Sequence, residues 1–258
     1  MTRALAFIQA RMSSSRLPGK VLEPLHGQPM IVYMARRVQR ARRLDGVVVL
    51  TSTDRSDDAL AAAVSDASLP VFRGDLNDVL KRFADAAEVH GADEIVRLTG
   101  DCPLIDPGLI DAVIDARRAA SADYASNVDP PSFPDGLDTE CCTRQALDRA
   151  HRLATLPAER EHVTLWMRSQ AAGLVRANVR ALADLSHLRL TVDYADDLEA
   201  VRRVVAHECA SHPLDMFDIL RVLSLQPDIL SLNTHARNEG LAKSLGTALN
   251  PPSHGTKP

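Results

Sequence analysis

The chain has 258 residues, 45% of them apolar and 25% charged, with a formal net charge of -4. These proportions suit one folded domain with a sizeable core and exclude disorder, collagen and coiled coil as readings of the whole. The acidic balance argues against a nucleic-acid partner, which needs a field attracting phosphate chains, and still allows a small anionic ligand where positive charge gathers locally.

No apolar run reaches the roughly 20 residues of a membrane span. The stretch after Met1-Thr2-Arg3 is too short for a signal peptide, so a soluble cytoplasmic protein without a membrane partner is expected. Cys102, Cys141, Cys142 and Cys209 match no metal or disulfide spacing, and the adjacent pair reads as buried thiols on a strand.

In chain order, short β-branched runs alternate with helical stretches, the rhythm of a parallel sheet covered by helices. Ala4 to Gln9 reads as the first strand, followed by a polar loop from Arg11 to Lys20. Met30 to Arg43 carries apolar residues at helical spacing with a basic outer face. Val47 to Thr51 is a buried strand, Asp57 to Asp66 a helix, Pro70 to Phe72 a short strand, Leu76 to His90 a helix and Glu94 to Leu98 a fourth strand. Asp106 caps a helix reaching Ala120, with Pro107 in its first turn where a missing amide costs nothing.

From Asp123 the rhythm changes. Tyr124 to Val128 and Leu137 to Cys142 read as two strands of a hairpin excursion over about 123–142, joined by a loop rich in proline. Helical patterns resume at Arg144 to Leu153 and Glu159 to Ala172, then a strand at Leu188 to Asp193 and a helix from Leu198 to Cys209. A single domain over 1–246 is expected, with 247–258 a disordered tail.

Three segments carry chemistry. The loop from Ala10 to Lys20 follows a strand, where ligands bind in α/β sheets. Its small residues and its cations Arg11, Arg16 and Lys20 could meet phosphate oxygens, although a solvated basic loop would look the same. It is neither a P-loop nor a dinucleotide fingerprint. The strand ending Leu98-Thr99-Gly100-Asp101 places a carboxylate at the same edge, able to hold Mg²⁺ against phosphates. Thr191-Val192-Asp193 repeats that arrangement before an acidic turn, so Asp193 is a second candidate ligand, with a structural role as the alternative for each aspartate.

Taken together, the stretches Gln9 to Lys20, Val96 to Asp111 and Thr191 to Glu199 resemble the cytidylyltransferases that activate sugar acids with CTP. Arg97 to Asp106 and Asp135-Gly136-Leu137-Asp138-Thr139-Glu140 are most similar to the spore coat polysaccharide biosynthesis protein F branch. The resemblance implies a Rossmann-like three-layer α/β sandwich of the nucleotide-diphospho-sugar transferase type, with a mixed, mostly parallel sheet. It implies CTP and a sugar or sugar-acid acceptor as partners, and Mg²⁺ as cofactor on Asp101 and Asp193. Arg11 and Lys20 would bind the triphosphate, with Ala10, Ser13 and Arg16 lining the loop, and Arg73 and Thr99 would lie near base and ribose.

Asp138 and Glu140 would share one side of a strand, facing either sugar hydroxyls or solvent, and His162 would either orient a substrate or serve packing. A homodimer through the hairpin around Phe133 is implied by resemblance alone. The expected reaction is attack of an acceptor hydroxyl on the α-phosphate of CTP, with pyrophosphate leaving. Two alternatives stand beside it: a glycosyltransferase using a nucleotide-sugar, disfavoured because no D-x-D occurs near Asp101, and a non-catalytic nucleotide-binding partner.

Overall fold

Val47-Val48-Val49-Leu50 offers no polar position for a solvated face, so its strand belongs inside a sheet covered on both sides. The computed structural model, which describes residues 2–209, 212–235, 237 and 246, sets it as β4 (Gly46–Ser52) between β1 (Ala4–Gln9) and β5 (Val71–Gly74), all parallel. β6 (Glu94–Thr99) joins the other side of β1, also parallel. β8 (Glu140–Thr143) runs antiparallel to β6, β7 (Tyr124–Ser126) antiparallel to β8, and β9 (Arg176–Asn178) parallel to β7. The sheet order is β5-β4-β1-β6-β8-β7-β9. The expected hairpin is therefore present, and through β8 it extends the main sheet. A two-stranded ribbon of β2 (Pro24–Leu25) and β3 (Gln28–Pro29) stands apart from it.

The alternation of β1 divides the core into two layers. Leu5 and Phe7 pack with α3 (Val79–Val89) and α5 (Arg144–Leu153) on one face. Ala6 and Ile8 pack with α1 (Met30–Val38), α2 (Asp58–Asp66), α4 (Pro107–Ala119), α8 (Ala195–Val205) and α9 (Met216–Leu225) on the other. This is a three-layer α/β sandwich. Among the described residues, no helix is long and apolar enough to cross a membrane.

Element boundaries move where tertiary contacts capture the backbone. The first helix stops at Val38 instead of Arg43, because the amides of Arg42 and Arg43 donate to the Asp111 carboxylate (3.0 and 2.8 Å) on α4. Asp78 caps α3 by accepting from Lys81 N at 2.9 Å, so that helix starts three residues later than expected. Asp106 caps α4 as expected, accepting from Leu109 N at 2.8 Å. The helix expected over 159–172 breaks into α6 (Pro157–Glu161) and α7 (Leu165–Arg168), separated by a turn in which the Thr164 hydroxyl donates to Glu140 at 2.6 Å.

The strand expected at 188–193 joins no sheet. It runs extended beside the turn at Asp135-Gly136, with Asp135 N donating to Leu188 O (2.9 Å) and Leu190 N to Asp135 O (2.6 Å). Gly136 allows this approach: at φ 102°, a Cβ there would lie 2.5 Å from Leu190 C and Thr191 N. The helix expected at 198–209 forms as α8, three residues earlier. β9 and α9 have no counterpart in the sequence reading, and the expected tail 247–258 lies outside the described residues.

Candidate active site

The parallel strands β1, β4 and β6 end at one edge, and a cavity of about 820 Å³ opens there, walled by the loop after β1. Asp57 fixes that loop. Its buried carboxylate accepts from Met12 N (2.7 Å), from Ser52 N (3.1 Å) and from the Ser52 hydroxyl, tying the loop to the end of β4. Burial alone would raise the Asp57 pKa, and these donors outweigh it and hold it low.

Lys20 closes the loop and is itself buried. Its ammonium donates to Val192 O (2.7 Å) and Asp193 Oδ1 (2.8 Å) and lies 3.4 Å from Asp101 Oδ2, joining three segments far apart in sequence. Burial opposes its charge, yet the two aspartates prevail and raise its pKa. Asp193 also meets Arg16 at 2.6 Å and Arg189 at 3.3 Å. Although burial would raise it, Lys20 and Arg16 hold Asp193 at about 2. The hard oxygens of Asp101 and Asp193 match the chemistry Mg²⁺ requires. Asp101 is the more open of the two, and among the described residues its Oδ1 meets the Cys102 thiol at 3.5 Å.

A smaller cavity of about 190 Å³ adjoins the first and shares Arg16, Arg97, Thr99, Asp101, His162 and Asp193 with it. Glu140 and Asp138 both line it, yet they differ in state. Glu140 pairs with Arg97 and accepts from the hydroxyls of Tyr124 (2.5 Å) and Thr164 (2.6 Å). Burial would raise its pKa, but Arg97 and Arg168 hold it at about 2. For Asp138 burial prevails over its partner Arg237 and lifts it to about 7. Burial also lowers the His162 pKa, with Glu161 opposing, which leaves the imidazole neutral at pH 7. Arg168 has no carboxylate within 4.0 Å among the described residues, and its Nε is buried without a hydrogen-bond partner.

Of the residues singled out in the sequence, Ala10, Arg11, Arg16, Lys20, Thr99, Asp101, His162 and Asp193 line the larger cavity, and Asp138 and Glu140 the smaller. Two do not. Ser13 is replaced in the wall by Ser14 and Ser15. Arg73 turns away to clamp the end of β4, donating to Ser52 O (2.8 Å) and Asp54 O (2.9 Å) and pairing with Asp58 at 2.7 Å. Sequence reasoning missed Arg82, Arg97, Arg168, Arg189 and Arg237. Arg82 had a signal in Gly74, where a Cβ would lie 2.7 Å from the Arg82 Cγ, so the glycine makes room for that stem. Arg189 was visible as the one charge within an otherwise apolar Leu188-Leu190-Val192 alternation.

A family model described as cytidylyltransferase matches residues 5–205. The chain is 32% identical over 236 residues to the spore coat polysaccharide biosynthesis protein SpsF of Bacillus subtilis, covering 88% of this chain and 97% of that one. It is 33% identical over 175 residues to a 3-deoxy-manno-octulosonate cytidylyltransferase of Chlorobaculum tepidum, covering 64% of each. A solved cytidylyltransferase structure from Leptospira borgpetersenii superposes with a TM-score of 0.85 at 30% identity, over 92% of this chain and all of that one.

Proposed function

The chain belongs to the cytidylyltransferase family and is a CTP-dependent nucleotidyltransferase, and from that premise we propose that it transfers CMP to a hydroxyl of a sugar acid, in the assembly of a surface polysaccharide. The observation that carries this reading is the junction of the two cavities. The larger has the volume and the cations for a nucleoside triphosphate, the smaller suits an acceptor, and they share the wall containing Asp101 and Asp193. Arg11, Arg16, Lys20 and Arg82 bring positive charge to the larger cavity, where the triphosphate would lie.

In the proposed reaction the acceptor oxygen bonds to the α-phosphorus, the bond to the bridging αβ oxygen breaks, and pyrophosphate leaves. Positioning and charge neutralisation dominate such chemistry. Asp101 and Asp193 would hold Mg²⁺, which when bound supplies neutralisation of the phosphate charge. Lys20 and Arg11 supply fixed positive charge for the leaving group. The neutral imidazole of His162, in the wall common to both cavities, orients the acceptor hydroxyl. Arg168, which lines the smaller cavity with no carboxylate within 4.0 Å among the described residues, favours a carboxylate on the acceptor. Pyrophosphate release tests the reading, with Mg²⁺, each of CTP, UTP, GTP and ATP, and a panel of sugar acids and neutral sugars. Release with CTP and an acid, absent in Asp101→Ala, is the expected result. Release only with another nucleotide or only with neutral sugars overturns it.

A further inference from the structure

The segment after α9 returns to the smaller cavity, held by alternate residues. Asn233 Nδ2 donates to Arg189 O at 3.1 Å. His235 stacks on Tyr194 with ring centres 3.9 Å apart and meets Asp196 at 3.0 Å. Arg237 lines the cavity itself, donating to Phe133 O (3.1 Å) and to Asp138, with its Nε 3.8 Å from Asp135. All three lie beyond the residues that the family model matches.

Five arginines and five carboxylates line this cavity, the partly ionised Asp138 among them, so its charge is near balance and one substitution shifts it. Four arginines have carboxylate partners there: Arg16 with Asp193, Arg97 with Glu140, Arg189 with Asp135, and Arg237 with Asp138. Among the described residues, Arg237 is the only cation paired with Asp138. Arg168 has no carboxylate within 4.0 Å among the described residues and acts on Glu140 only at longer range.

We propose that Arg237 is a specificity-determining residue for the acceptor: by pairing with Asp138 and Asp135 it keeps both carboxylates from Arg168, the one arginine of the smaller cavity with no carboxylate within 4.0 Å among the described residues, and the cavity then admits an acidic acceptor and turns away a cationic one. The proposal rests on the acceptor reading given above. Without Arg237, an ionised Asp138 competes with the acceptor's acid for Arg168, so the penalty falls on acceptor binding, grows as rising pH ionises Asp138, and spares the nucleotide. Removing the Asp138 charge as well cancels it.

The test uses the full chain with CTP and two acid probes, 3-deoxy-manno-octulosonate and N-acetylneuraminate, following pyrophosphate release and CTP binding by calorimetry. At pH 8.5 Arg237→Ala is expected to raise KM for the acid at least tenfold, with a smaller rise at pH 6 where Asp138 is protonated, and with kcat and KM for CTP within about twofold. Arg237→Lys is expected to retain most of the acid affinity, and adding Asp138→Asn to Arg237→Ala to restore it to within about threefold. Equal rises in both KM values, an unchanged KM for the acid, or a double variant no better than Arg237→Ala overturns the proposal and leaves the acceptor reading intact. If the unmodified chain binds CTP yet turns over neither acid, the acceptor reading fails and the proposal with it.

Discussion

Glu140→Gln is nearly isosteric and removes one negative charge from the point where β8, β6 and the turn before α7 meet. The native carboxylate pairs with Arg97 and accepts from Tyr124 (2.5 Å) and Thr164 (2.6 Å). Burial favours its protonation, and the arginines outweigh burial, so its pKa falls from 4.5 to about 2. A carboxylate depressed in this way contributes stability that is fully present above about pH 4.5 and is lost as the pH falls toward 2. That displacement corresponds to roughly 3 kcal/mol, at the lower edge of the ~3–5 kcal/mol for breaking a buried pair. We therefore expect Glu140→Gln to be about 3 kcal/mol less stable at pH 7, with Tm lower by roughly 6–12 °C. Urea unfolding of both chains at pH 7, 5, 4 and 3 measures the difference, which cancels the titration of all other groups. The gap should hold from pH 7 to 5 and narrow below. A gap under about 1 kcal/mol at pH 7, or one that does not change with pH, refutes the reasoning.

Three further outcomes are expected. Lys20→Met removes the ammonium between Asp101 and Asp193. Pyrophosphate release should drop about 10²- to 10³-fold, the scale for one preorganised charge-stabilising contact. Because Arg16 and Arg189 still hold Asp193, its unfolding free energy should fall by only about 1–2 kcal/mol. Gly136→Ala forces a Cβ to within 2.5 Å of the Leu190 backbone at a positive φ, and thermal unfolding should show a loss of at least about 2 kcal/mol. Arg168→Ala should raise KM for an acidic acceptor by about 10- to 100-fold with KM for CTP unchanged. Its stability should fall, since Arg168 helps hold the buried Glu140 ionised.

The legible parts of the site are those that follow a strand. Arg11, Lys20 and Asp101 sit on loops leaving β1 and β6, and a strand end in an α/β sheet predicts its own side of the molecule. Asp193 was legible as well, through the acidic turn before a helix, although the segment bearing it pairs with a turn at Gly136 and not with a sheet. Arg73 misled because its position at a strand end matched expectation while its guanidinium found carbonyls at the end of β4.

By itself the sequence determined the parallel half of the sheet, the two helical layers and the cationic loop. Those depend on side-chain periodicity, caps and turns, all of which act within a few residues. Only the tertiary structure decided how charges are shared. Arg97, Arg168, Arg189 and Arg237 reach one small cavity from β6, α7, an extended segment and the chain beyond α9. Which of them lacks a carboxylate within 4.0 Å depends on distances of a few ångströms between residues up to about a hundred positions apart, since the strength of an ion pair is set by separation and burial and not by order along the chain.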